Sequence, residues 1–210
     1  MRTEYFCLLL LAMFGLTGCL SRLTSSTPPS YYQLDYAAEP SECPAPYEGG
    51  LRVWALTADS AYNREEMVIS DPSLRVEYSR QNRWVAAPGQ MLADLLLRDV
   101  GASHMFANVV FAGDVYSAAR NLSGRIFEFA WKRDGSNMRA ALDAEVVFWE
   151  DEPKRRVIFR NHYHIEGDPT SQSSPARFAA EMSGVVKRFS AQVRRDICAM
   201  NKGNSSPAAD

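Results

Sequence analysis

The chain has 210 residues, of which 46% are hydrophobic and 23% charged, and its formal net charge is -2. That is enough apolar material for one packed domain, and there is no sequence-wide basic excess of the kind a nucleic-acid partner demands. No internal repeat is visible, and no second apolar run follows the one at the N-terminus.

Arg2 and the initiator amine precede an apolar run from Tyr5 to Phe14, broken by Gly15. Crossing a bilayer takes about 18 or more apolar residues, whereas the core of a secretory signal takes roughly 7 to 15 and ends at small residues. Residues 1–18 therefore read as a signal peptide. The sequence Leu16-Thr17-Gly18-Cys19 resembles the bacterial lipoprotein box. The resemblance implies diacylglycerol on the Cys19 thiol, cleavage after Gly18 and acylation of the new amine by a fatty acid such as palmitate. One acyl chain anchors only marginally, at about 0.8 kcal/mol per buried methylene, and three suffice. Leu20 stands where lipoproteins kept in the inner membrane of enteric bacteria commonly carry Asp, which favours the periplasmic face of the outer membrane. A plain signal followed by an incidental cysteine is the alternative.

Of the four cysteines, Cys7 leaves with the signal and Cys19 is consumed by lipid, so Cys43 and Cys198 remain. In an oxidising periplasm two leftover thiols are expected to pair. Their separation of about 155 residues corresponds, in the chain-entropy model, to an upper figure on the order of 5 kcal/mol. Two independent buried thiols are the alternative.

Residues 19–30 form a lipidated tether, polar from Ser21 and stiffened by Pro28-Pro29. The folded domain is expected over 31–200, with a polar, disordered tail over 201–210. Tyr31 to Tyr36 and Leu51 to Leu56 alternate as strands, separated by a loop from Ala37 to Gly50. Met67 to Ser70 and Leu74 to Tyr78 flank Asp71-Pro72-Ser73, a hairpin signal, and a polar stretch follows from Ser79 to Asn82. From Pro88 to Val100 apolar residues recur at helical spacing, and Gly101 is placed to stop that helix. Four strands are expected at Phe106 to Phe111, Ser123 to Lys132, Met138 to Trp149 and Arg155 to Ile165. In the last, Phe159, Tyr163 and Ile165 share one face and Arg160, His162 and His164 the other. Ser174-Pro175 caps a second helix with Phe178, Met182, Val185, Phe189 and Val193 on one stripe. Lys187, Arg188, Arg194 and Arg195 fall on its other faces. The fold class is α+β: a single domain with an antiparallel sheet packed against two main amphipathic helices.

Several short matches carry a family resemblance: Tyr31-Tyr32-x-Leu34, Leu51-x-Val53, Asn63-Arg64-Glu65 before Met67-Val68-Ile69, Val76-Glu77-Tyr78, and Arg83-Trp84 ahead of Pro88 and Met91-Leu92. In this order they resemble the auxiliary lipoproteins of ABC-type transport systems, the paraquat-inducible type C lipoproteins among them. Cys43 and Cys198 stand outside that general pattern. The resemblance implies no covalent chemistry and no cofactor. It implies a role in moving lipids or other hydrophobic molecules between membranes, with a mammalian-cell-entry class periplasmic subunit as partner. A homo-oligomer is compatible with such a conduit end.

His162-x-His164 is the sharpest metal-like pattern, but two imidazoles fall short of the three or four ligands zinc needs, so no metal is expected. No Gly-x-Ser-x-Gly elbow marks a hydrolase. Arg83 and Trp84 are a candidate partner surface, weighed against a core tryptophan. The cations of the last helix could meet phosphate, weighed against a solvated face. Phe127, Phe129 and Trp131 could line a groove, weighed against burial under a helix. The rival function is a structural outer-membrane assembly lipoprotein, such as a lipopolysaccharide transport partner. A periplasmic hydrolase comes third.

Overall fold

A computed structural model describes residues 27–38, 43, 46–151 and 153–204. The signal peptide 1–18 with Cys7, the lipid attachment residue Cys19 and the tail beyond 204 lie outside the described residues. The elements in chain order are β1 (Ser30–Tyr32), β2 (Gly50–Val53), β3 (Thr57–Ala58), β4 (Glu66–Ser70), β5 (Val76–Trp84), α1 (Pro88–Ala102), β6 (Asn108–Phe111), β7 (Arg120–Asp134), β8 (Asn137–Glu150), β9 (Arg156–Glu166) and α2 (Pro175–Asn204). They form a single α+β domain.

The fifteen-residue strand β7 is the axis of the sheet. On one side β8 pairs with it antiparallel from Arg120↔Glu150 to Asp134↔Asn137, and β9 pairs antiparallel with β8. The turn between β7 and β8 is short because Gly135 adopts φ +59, a conformation glycine takes without a Cβ clash. On its other side β7 is shared by three short strands in succession. β2 pairs with Arg120 to Leu122, β3 with Arg125 and Ile126, and β4 with Trp131 and Lys132, all parallel to it. The chain thus climbs one edge of β7 in steps and reaches β7 itself only after α1, so the long connection that parallel pairs require includes that helix. β6 continues the sheet beyond β2, while β5 and β1 continue it beyond β4. The expected meander of long strands is present within a mixed sheet, because the steps β2, β3 and β4 all run with β7.

Both helices cover one face. α2 lies on β8 and β9, and α1 packs beside it against β6. Alternation along β8 turns Met138, Ala140, Leu142, Ala144, Val146 and Phe148 toward the helices, where each is at most 6% exposed. The stripe of α2 answers with Phe178, Met182, Val185, Phe189 and Val193, each at most 1% exposed. Fully burying one such side chain is worth about 1.5–3 kcal/mol. Polar contacts fix the pairing, since Asp196 of α2 accepts hydrogen bonds from Asn161 (2.8 Å) and the Tyr163 hydroxyl (2.6 Å) on β9. Gly89 lets α1 approach the step between β2 and β3, where a Cβ would stand 1.9 Å from the Leu56 carbonyl oxygen.

The segment after β1 is fastened to the helices rather than extended as a strand to Tyr36. Asp35 N–H donates to Ser183 Oγ (3.0 Å) and the Tyr36 hydroxyl to Asp99 Oδ2 (2.8 Å). Cys43 and Cys198 are joined by a disulfide with Cα atoms 5.7 Å apart. The Tyr47 hydroxyl then donates to the Ile197 carbonyl (2.8 Å) at the same end of α2.

Several boundaries differ from the sequence reading. β5 runs through the polar stretch to Trp84 because Ser79 Oγ accepts from both Asn82 N–H (3.0 Å) and its side-chain amide (2.9 Å), folding the extra residues into an irregular step. α1 passes Gly101, and the left-handed residue beyond it is His104, φ 54. Ser174 caps α2 as expected, its Oγ accepting from Arg177 N–H (3.2 Å). That helix continues to Asn204, so residues 201–204 are helical and not tail.

Candidate functional site: a charged cleft under the β4–β5 hairpin

The sheet face away from the helices carries charged side chains in neighbouring rows. Glu128 and Lys132 come from β7, Arg139 from β8 and Glu166 from β9, and the register Ala141↔Glu166 and Lys132↔Arg139 brings them together. Glu166 accepts from Lys132 Nζ (3.0 Å) and from Arg139 Nη1 (3.0 Å). Lys132 also lies 3.5 Å from Glu128, and Arg139 Nη2 lies 3.5 Å from Asp134. Burial pushes the Glu166 carboxyl up, but the hydrogen bonds from Lys132 and Arg139 outweigh it and hold the group below the usual range. Lys132 answers in the opposite sense: burial pushes it down, and the bonds to Glu166 and Glu128 outweigh this and raise it.

The β4–β5 hairpin overhangs this floor. Pro72, Leu74 and Val76 from the hairpin and Tyr62 from the loop before β4 wall a cleft of about 600 Å³ whose base includes Glu128, Lys132 and Glu166. The Tyr62 hydroxyl is pushed up by burial and by the neighbouring Glu128. The hairpin turn is pinned by Asp71, whose carboxylate accepts from Ser73 N–H (2.8 Å) and from the Ser73 hydroxyl. The Ser73 hydroxyl holds the Asp71 carboxyl below its ordinary value. At the turn Leu74 has φ 66 and is 93% exposed.

The residues singled out in the sequence have varied places. Arg83 is at the surface, paired with Glu66 at 3.1 Å. Trp84 is 0% exposed and packs edge-on against Phe129 (5.5 Å) and Phe178 (5.3 Å). The partner-surface reading of Arg83 with Trp84 is therefore corrected, because the indole is enclosed by the core and only Arg83 reaches solvent. Phe129 and Trp131 are buried under α2, but Phe127 is not their companion. A bulge between Ile126 and Glu128 turns its ring to the other face, stacked on His162 at 5.5 Å. His162 Nε2 is 2.7 Å and His164 Nδ1 3.1 Å from the two oxygens of Asp143. Among the described residues no three His, Cys, Asp or Glu side chains are grouped to hold a metal ion. On α2, Arg194 is 4% exposed, not part of a solvated face, while Arg188 donates to the Glu166 carbonyl at 2.8 Å. The cleft itself had no local signal except the charges flanking the Arg133 to Ser136 turn, since its roof and floor are about 60 residues apart in sequence.

The mixed sheet has one helix-covered face and one open charged face, and no helix among the described residues is long and apolar enough to cross a membrane. Residues 32–194 match the family model of the ABC-type transport auxiliary lipoprotein component, and the chain belongs to that family. A solved protein from Xanthomonas campestris is similar in fold, with 15% identity, TM-score 0.73, and coverage of 84% of this chain and 99% of that one. A second solved structure, described only as an uncharacterized protein, has 15% identity and TM-score 0.63 over 81% of this chain and 99% of its own. A hypothetical protein from Chlamydia trachomatis has 9% identity and TM-score 0.52 over 73% and 98%. No curated protein matches the chain.

Proposed function

We propose that this protein is a non-enzymatic accessory of an ABC-linked intermembrane transport system for lipids or other hydrophobic molecules. In this reading Cys19 anchors it by lipid to the periplasmic face of the outer membrane, and a mammalian-cell-entry class subunit is its partner. The observation that carries the reading is the family match over residues 32–194, which takes in nearly all of the described fold. Cys19 lies eleven residues before Ser30, the start of β1. Such a tether extends to roughly 40 Å, which keeps the domain close to its membrane and raises the effective concentration of a docking site there. A conduit for acyl chains needs such a dock, because each methylene exposed to water costs about 0.8 kcal/mol.

Crosslinking in cells from the open sheet face, followed by identification of partners, tests this. The expected result is capture of a mammalian-cell-entry class subunit, and release of the chain from the membrane fraction in Cys19→Ser. Capture of a different outer-membrane complex, such as lipopolysaccharide transport components, with no such subunit would replace this reading with the structural one.

A further inference from the structure

The cleft beneath the β4–β5 hairpin has a charged floor and an apolar overhang. Its lining holds four cationic and four carboxylate side chains, so it attracts neither a simple anion nor a simple cation. It nevertheless has bonding capacity of both kinds, at separate places. Lys132 and Arg139 each make one good bond, both to Glu166 at 3.0 Å, and their second contacts are long, at 3.5 Å. An ammonium carries three N–H donors and a guanidinium five, so both keep donors to offer. Among the described residues Glu128 is engaged only at 3.5 Å, by Lys132 and by the Ser70 hydroxyl, and its oxygens keep acceptor capacity in the cleft that Tyr62 also lines. Leu74 adds an independent observation. A bulky side chain at φ 66 sits in backbone space that non-glycine residues seldom occupy, and at 93% exposure it recovers nothing by burial in the free protein.

We infer that this cleft binds a zwitterionic amphiphile, of the phosphoethanolamine lipid class. The phosphate takes the free donors of Lys132 and Arg139, the ammonium takes Glu128 and the face of Tyr62, and the hydrocarbon lies against Pro72, Leu74 and Val76. A volume of about 600 Å³ is in the range of small-molecule sites. The inference rests on the transport reading for its purpose and on the cleft's own chemistry for its content.

Calorimetry on the mature chain, with short-chain dihexanoyl lipids below their micelle concentration, tests it. Three probes serve: dihexanoyl phosphatidylethanolamine, dihexanoyl phosphatidylglycerol, and glycerophosphoethanolamine, which has the headgroup alone. The ethanolamine lipid is expected to bind tighter than the glycerol lipid by on the order of tenfold, the scale of one charge-assisted bond. Glu128→Gln is expected to abolish that preference. Leu74→Ser is expected to weaken both lipids and leave glycerophosphoethanolamine unchanged. Both positions are on the open face, and circular dichroism of each variant checks that the fold is kept. Equal affinity for the two lipids, a preference that survives Glu128→Gln, or no binding of any probe overturns the inference. A chain that captures the mammalian-cell-entry subunit in cells but binds none of these lipids refutes the cleft assignment alone. A chain that binds the ethanolamine lipid but captures no such subunit refutes the transport reading alone.

Discussion

The carboxylate of Asp99 on α1 accepts a 2.6 Å hydrogen bond from the hydroxyl of Ser190 on α2, and both residues are 0% exposed. The same oxygen accepts from the Tyr36 hydroxyl at 2.8 Å, and the other is bound by the Arg98 guanidinium at 2.9 Å. Three parts of the chain therefore converge on one buried charge. Burial first, and then Asp99, push the Tyr36 hydroxyl far up from its ordinary value, so it remains a donor at any physiological pH.

Asp99→Ala is expected to cost more than about 1–3 kcal/mol, because the Ser190 and Tyr36 hydroxyls lose their acceptor together. Ser190→Ala alone should cost about 1–3 kcal/mol. Tyr36→Phe combined with Ser190→Ala should depart from additivity, since both hydroxyls share Oδ2. Urea unfolding of these three variants and of Tyr36→Phe alone reads all of this.

Acid should weaken the cleft floor through Glu166. Its folded carboxyl is held below the ordinary 4.5, chiefly by Lys132 and Arg139 acting against the upward push of burial. A lowered folded value means that the stabilisation is complete above about pH 4.5 and is lost as pH falls through the lower folded value. Glu166→Gln should therefore be less stable than the parent at pH 7 and should show a flatter acid limb. Thermal unfolding between pH 3 and 7 gives the comparison.

Arg83 and Trp84 are adjacent but should respond very differently. Trp84→Ala removes a 0% exposed indole from the ring cluster with Phe129 and Phe178 and should cost about 3–5 kcal/mol. Arg83→Ala breaks a half-exposed pair with Glu66 and should cost about 0–1 kcal/mol. A partner contact by Arg83 would appear as weakened capture in the crosslinking experiment with unchanged unfolding.

What the sequence made legible was whatever depends on near neighbours. The alternation through β8 and β9, the stripe of α2 and the Ser174-Pro175 start are local patterns, and each is where it was expected. The parallel pairs of β2, β3 and β4 with β7 join residues about 60 to 70 positions apart and leave no periodic trace. Counting by two puts Phe127 on one face with Phe129 and Trp131 because it assumes an unbroken strand, and one bulged residue reverses the parity. Trp84 takes the core reading weighed beside the partner surface, and the ring contacts with Phe129 and Phe178, distant in sequence, are what decide it. The cleft is a product of the hairpin lying over a distant sheet face, so no stretch of sequence contains it.

The hairpin is joined to β7 through only two residue pairs, Ile69↔Trp131 and Ser70↔Lys132, whereas β7 and β8 are zipped along their whole length. Unequal attachment of this kind gives unequal rates of local opening. In deuterated water the amides of residues 76–81, the outward part of the hairpin, should exchange well before those of β7, so the ceiling of the cleft loosens while its floor stays closed. A lipid bound in the inferred site should therefore announce itself as slowed exchange in the hairpin before anything changes in the sheet beneath.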